Sequence, residues 1–149
     1  MNKKVIIIGV SITAILAVLA AVLLNAYYEP YVYKRRVREA MNFLAKIKQR
    51  QESYRNEFGQ YANVSETLDD TNPAGPPGIN PVGWTSTNKW DQLGASPDGP
   101  IRFRYSTIAG FPGTEYVGIN HSNHWFIARA IGNLEGDRET LTLEVSSQS

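Results

Sequence analysis

The feature that constrains this chain most is an uninterrupted apolar run from Val5 to Leu24. The run contains no charged residue and no proline, and Ser11 and Thr13 are its only polar side chains. As a helix, about twenty residues rise roughly 30 Å, which is the thickness of the bilayer hydrocarbon. A helix also satisfies its own backbone hydrogen bonds inside lipid. The run therefore predicts a membrane-spanning helix over residues 5–24, preceded by a short tail, 1–4.

A cleaved secretory signal is the alternative interpretation of this segment. Lys3 and Lys4 supply a basic start, and Leu24-Asn25-Ala26 resembles a cleavage site. The apolar core of a signal peptide spans only about 7–15 residues, so the longer run favours a retained anchor. Basic residues lie on both sides of the span, and more of them follow it than precede it. Counting them alone would place the residues after the span in the cytoplasm. We nevertheless expect a single pass with the amino terminus inside, because the preceding tail is so short.

Composition narrows the class of protein. The chain has 149 residues, which leaves enough residues beyond the apolar run for one modest core. This length excludes a multi-span transporter and a multidomain enzyme. It contains no cysteine, which excludes disulfides, thiolate metal sites and cysteine nucleophiles. No phosphate-binding loop, zinc motif or serine-hydrolase motif occurs. We therefore expect no enzymatic activity, no cofactor and no small-molecule substrate.

A helical pattern continues beyond the apolar run and predicts a stalk helix over residues 25–58. Pro30 predicts a kink, and Gly59 predicts the end of the helix. Apolar residues recur at three- and four-residue steps, with Gln51 filling a gap, and form one stripe that needs a covering layer. The predicted core face of this stalk consists of Val37, Met41, Leu44, Ile47, Tyr54 and Phe58.

Charge is divided along the chain. Residues 27–58 hold eight Lys or Arg and four Asp or Glu, whereas residues 59–149 hold five and ten. The basic segment fits a solvated helix face, contact with anionic lipid, or contact with the acidic part of another copy. Because it adjoins a predicted membrane anchor, we expect no binding to nucleic acid.

Residues 59–149 are predicted to form a globular head. The segment 59–100 is rich in Gly, Pro, Asn and Ser and predicts a long loop, and alternating apolar residues over 101–149 predict about four short strands. The predicted fold class is α+β: one long helix, half in lipid and half amphipathic, packed on a small antiparallel sheet.

Two features of the head invite functional interpretation. Trp84 and Trp90 in the loop should pack inward, with a platform for a sugar or a partner as the alternative. Asn133, Glu135 and Asp137 surround a glycine as calcium ligands do, although the spacing differs from that of an EF-hand and a plain acidic turn is the alternative.

The order of several motifs resembles bacterial type IV pilins and the pseudopilins of type II secretion. Tyr54–Ala62 is similar to the end of the family's long helix, and Arg38-Glu39-Ala40-Met41 to its Ser-Glu-Ala-Leu. Trp90–Gly94 resembles the start of the pilin head, and Trp125–Asp137 its late strand and acidic turn. The processing motif is not matched, because Gly9 stands where the family has a glutamate. The resemblance implies an unprocessed variant or a fixed membrane component.

This resemblance implies a structural subunit of a pilus or secretion-type filament in the bacterial inner membrane, with its head in the periplasm. Membrane lipid, further copies of the chain and other pilin-like subunits are the expected partners. Helices would bundle in the membrane where small residues allow close approach, at Gly9, Ala14, Ala17 and Ala21. The alternative function is a tethered binding or adhesion module that uses the tryptophan-containing loop.

Overall fold

The computed structural model describes residues 3–116, 119–136 and 139–148, and its chain divides into two compact units, Met1–Arg35 and Arg36–Ser149. The fold is α+β, as predicted. Its elements are α1 (Lys3–Phe58), α2 (Asn88–Leu93), β1 (Arg104–Gly110), β2 (Glu115–Tyr116), β3 (Ile119–Asn120), β4 (Trp125–Gly132) and β5 (Leu141–Ser146).

Helix α1 is assigned without a break from Lys3 to Phe58, and Pro30 lies inside it. Lys3 and Lys4 of the predicted tail 1–4 are already helical, and residues 1 and 2 lie outside the described residues. Gly59 ends the helix as predicted. It adopts a φ of 77°, which favours glycine, and its N–H donates to the Arg55 carbonyl at 2.8 Å.

The carboxyl-terminal part of α1 supplies one wall of the head core. Leu44 and Ile47 are buried as predicted, while Val37 and Tyr54 are partly buried against the same cluster. The face also contains three buried residues outside the predicted apolar set, namely Ala40, Phe43 and Gln51.

Two members of the predicted core face are exposed instead. Met41 is 58% exposed, because it stands about 100° around the helix from buried Ala40. Phe58 is 57% exposed as the last helical residue, where its ring contacts Tyr54 at a centroid distance of 4.4 Å. The true stripe therefore runs through Ala40, Leu44, Ile47 and Gln51.

The sheet that covers this stripe has three antiparallel strands in the order β1–β4–β5. Tyr105 lies opposite Ala130 in the β1–β4 ladder, and Ala130 lies opposite Leu143 in the β4–β5 ladder. Strands β2 and β3 form a separate two-stranded hairpin. The prediction of about four strands in one sheet is corrected to three strands plus this hairpin.

The first strand begins later than its alternation suggests. Ile101 forms only an isolated bridge with Val82, and β1 starts at Arg104. Gly110 is the last residue of β1 and lies opposite Trp125. A Cβ at Gly110 would come within 2.4 Å of the Trp125 ring, so only glycine leaves room for the indole. Residues 104–108 are all buried because the long loop covers the second face.

That loop also closes the outer edge of β1. The Ser65 N–H donates to the Thr107 carbonyl at 2.8 Å. Asn72 and Tyr105 exchange two backbone hydrogen bonds, at 2.7 and 2.9 Å. Asn63 Oδ1 accepts from the Ala109 N–H at 3.1 Å. Residues 63–72 thus replace a fourth strand along this edge without forming a regular strand themselves.

Gln51 joins the helix, the loop and the sheet. Its Nε2 donates to the Ala62 carbonyl at 2.9 Å and to Thr107 Oγ1 at 3.1 Å. Its Oε1 accepts from the Ala62 N–H at 2.8 Å, and the side chain is fully buried. A buried amide that satisfies three polar groups of other segments fixes their relative positions more strictly than apolar contact alone.

We expect Gln51→Ala to lower the free energy of unfolding of the head by about 2–4 kcal/mol. The change leaves buried polar groups of Ala62 and Thr107 without partners and opens a cavity. Thermal and urea unfolding of the full chain in mild detergent, followed by near-ultraviolet circular dichroism, measures the loss. Gln49→Ala, at an exposed position on the same helix, is the control and should change stability by less than about 0.5 kcal/mol. Equal effects of the two substitutions would contradict this account.

Candidate membrane-anchoring helix

The amino-terminal part of α1 presents large apolar side chains to its surroundings. Seven of them between residues 15 and 24 are 53–69% exposed: Ile15, Leu16, Val18, Leu19, Val22, Leu23 and Leu24. An exposed apolar surface of this extent marks a site of contact with lipid or protein. Among the described residues, α1 is the one helix long and apolar enough to cross a membrane.

An aromatic and then a basic zone follow the apolar surface along the same helix. Tyr27, Tyr28 and Tyr31 are 84, 68 and 64% exposed. The exposed cations Lys34 and Arg35 come next. Tyrosine rings concentrate at the boundary between hydrocarbon and water, and cations beyond them attract anionic headgroups. This sequence of zones is the one expected where a helix leaves a bilayer.

The small residues predicted to mediate bundling do not all share one face. At about 100° per residue, Ala14, Ala17 and Ala21 fall within about 60° of the helix circumference. Gly9 lies about 80° from Ala17, outside that arc. The helix therefore groups the three alanines on one face, and the four-residue interface stays a prediction.

The two loop tryptophans pack inward. Trp90 is only 3% exposed, and Trp84 is partly buried against the same core cluster. Their ring centroids lie 5.0 Å apart in an edge-to-face arrangement, and Trp84 also contacts Phe43 at 5.5 Å. The buried Trp90 ring offers no face for stacking, whereas Trp84 is only partly buried, so a ligand platform at Trp84 stays a prediction.

The acidic turn is described only in part. Asn133 Oδ1 accepts from the Gly136 N–H at 2.7 Å, so this oxygen closes the turn. Glu135 is exposed, and Asp137 lies outside the described residues. No group of three or more His, Asp or Glu within the described ranges is arranged to hold a metal ion. Calcium binding by Asn133, Glu135 and Asp137 stays a prediction.

An open cleft with a largely apolar lining lies between α1 and the segment 97–101. Its volume is about 290 Å³, and Glu39, Lys46, Asp98 and Tyr105 are among its lining residues. Glu39 Oε2 is 3.6 Å from Arg102 Nη1, and Lys46 Nζ is 3.5 Å from Asp98 Oδ1. These pairs hold the 97–102 segment against the helix. Sequence reasoning missed this cleft because its members are far apart along the chain.

Tyr105 is the most deeply enclosed titratable group of this region. Its side chain is fully buried, and its hydroxyl has no hydrogen-bond partner among the described residues. Burial raises the pKa of Tyr105 well above its usual value, and the nearby Glu39 carboxylate raises it further. The fold therefore retains the neutral phenol where an unfolded chain would ionise.

Comparison of the chain with protein-family models, with curated protein sequences and with solved structures found no match in any of the three. The resemblance to pilins and pseudopilins thus rests on the motifs in the sequence alone. The exposed apolar half of α1 and its covalent continuation into the head core are the structural observations that bear on function.

We expect Tyr105→Phe to make the head less sensitive to alkali. An unfolded tyrosine ionises near pH 10, whereas folded Tyr105 stays neutral, so the native protein loses stability as pH rises above about 10. Without the phenol, the loss between pH 9 and 11 should be smaller by about 1 kcal/mol. Urea unfolding across this range measures it. Parallel pH profiles for the native protein and the variant would show that Tyr105 is not held neutral by the fold.

Proposed function

We propose that this protein is a membrane-anchored structural subunit of the type IV pilin kind. The apolar part of α1 spans the bacterial inner membrane once, with the amino terminus in the cytoplasm and the head in the periplasm. Copies of the chain, or other pilin-like subunits, associate through their membrane helices and their heads. The subunit acts by packing rather than by catalysis.

The observation that carries this proposal is that one helix holds both an exposed apolar surface and a core wall. Residues 15–24 expose their apolar side chains, whereas Ala40, Leu44 and Ile47 of the same helix are buried in the head. Both sets of residues belong to the single helix α1, Lys3–Phe58.

The distribution of charge supports an assembly role. Residues 27–58 carry a net charge of +4, and residues 59–149 carry a net charge of −5. Opposite charges on the helix and the head of neighbouring copies would favour a staggered arrangement and disfavour helix-to-helix contact of the basic zones. Of the cations on the helix, Lys34, Arg35, Arg38 and Arg50 are exposed and so accessible to a neighbour.

The anchor itself is tested by the mass and the extraction behaviour of the expressed protein. We expect a full-length chain that leaves the membrane only with detergent, because lipid covers the apolar surface. Intact-mass spectrometry and carbonate extraction measure both properties. A head that begins at Tyr27 and is soluble in buffer would identify the apolar run as a cleaved signal and overturn the proposal.

Helix association is tested by cysteine cross-linking, because the chain contains no cysteine of its own. We expect Ala14→Cys and Ala21→Cys to give oxidised dimers in membranes, since these positions share a face that permits close approach. Ile15→Cys and Val22→Cys have the same spacing but lie about 100° around the helix from the alanine pair, and should give several-fold less dimer. Monomer at all four positions, or equal yields at both pairs, would contradict helix bundling on the alanine face.

A further inference from the structure

The two outer edges of the three-stranded sheet differ in whether another segment bonds to them. The outer edge of β1 is covered by residues 63–72, which bond to its backbone at several positions. Strand β5 is the other outer strand. Within the described part of the chain, no other segment forms a backbone hydrogen bond to the outer side of Leu141–Val145.

The direction of the unpaired groups follows from the β4–β5 ladder. The Ser147 N–H donates to the Phe126 carbonyl at 3.2 Å, just beyond the pair Ile127 and Ser146. Backbone groups of successive residues in an antiparallel strand point alternately towards and away from the partner strand. Val145, Leu143 and Leu141 therefore bond to β4, and the N–H and carbonyl groups of Thr142 and Glu144 point outward.

Natural sheet edges are usually protected by proline, lysine, a bulge or an inward charge. The strand Leu-Thr-Leu-Glu-Val-Ser has no proline, no lysine and a single charged residue. That residue, Glu144, forms an ion pair with Arg129 of β4, whose Nε lies 2.7 Å from Glu144 Oε1. An extended strand is the polypeptide conformation that pairs with every outward backbone group of such an edge in turn.

The side chains on the core face of β5 are also incompletely covered. Leu141, Leu143 and Val145 are only partly buried, and they pack against the main core cluster from its margin. Another strand beside β5 would cover the exposed flanks of all three residues. The occupant must therefore present apolar side chains at alternate positions on this face.

We propose that β5 pairs antiparallel with β5 of a second copy of this chain, with Leu143 opposite the partner's Leu143. This register also sets Leu141 against the partner's Val145, and Thr142 against the partner's Glu144. A shift by one residue would set Leu143 opposite a glutamate and reverse the faces. A register centred on Glu144 would bring two like charges together. The three apolar residues of β5 are thus complementary to themselves in this one arrangement.

The positions of the outward backbone N–H and carbonyl groups on β5 agree with this register. Thr142 and Glu144 carry the outward N–H and carbonyl groups, and they lie opposite each other across the proposed interface. Leu143 then forms a non-hydrogen-bonded pair with its counterpart, in which Cα atoms lie about 4.5 Å apart. The two sheets would join into one sheet of six strands. This pairing does not depend on the membrane helix, so its test is separate from the test of helix association.

Cysteine substitution in the full chain, purified in detergent and mildly oxidised, tests the register. Leu143→Cys should form a dimer, because a separation of about 4.5 Å suits a disulfide. Thr142→Cys mixed with Glu144→Cys should form a mixed dimer, and each of these alone should form several-fold less. The second pair replaces exposed side chains and leaves the core intact. Monomer throughout, or equal yields from Thr142→Cys alone and from the mixture, would overturn the proposal.

Substitutions that change the charge at position 142 give a second, independent test of the proposed register. Thr142→Glu places two further carboxylates opposite Glu144 in the dimer, and should lower the Leu143→Cys dimer yield about threefold to tenfold. Thr142→Lys places cations there and should maintain or raise it. Identical yields from the two variants would contradict pairing in this register. Oxidised dimers through Ala14→Cys report on the membrane helix and remain interpretable whichever result is obtained.

Discussion

The head depends on the buried amide of Gln51. It lies on the face of α1 that carries Ala40, Leu44 and Ile47, and it bonds both to Ala62 in the loop and to Thr107 in β1. Apolar contact alone would allow the sheet to slide along the helix, because it has little directional preference. Three hydrogen bonds with fixed geometry in a dry environment remove that freedom. The register of β1 against the helix, and hence the position of β4 and β5, follows from this contact.

The long loop contributes more to the structure than its composition suggests. It closes one edge of the sheet through Ser65 and Asn72, and it covers the outer face where the guanidinium of Arg104 bonds to the carbonyls of Gly75 and Pro76. It also places Trp84 and Trp90 in the core. Glycine and proline exclude regular structure from this segment, yet its backbone polar groups still find partners in the sheet.

The two proposed associations use different chemistry and different parts of the chain. Association of membrane helices depends on close packing of small residues where water is absent. Pairing of β5 depends on backbone hydrogen bonds and on covering Leu141, Leu143 and Val145.

The sequence by itself determined the long helix, its end at Gly59, the α+β class and the burial of Leu44, Ile47 and Trp90. Each of these follows from local pattern: an apolar run, a 3.6-residue period, a residue that tolerates positive φ, or the cost of exposing an indole. Only the tertiary structure decided that Met41 and Phe58 are exposed. The spacing of apolar residues along a helix does not show how far the sheet and the loop cover that helix. Only the tertiary structure also decided where β1 begins. A strand that is buried on both faces does not alternate between buried and exposed residues. The covered edge of β1 and the open edge of β5 also depend on tertiary contacts. Backbone pairing between distant segments cannot be predicted from the sequence pattern of either segment alone.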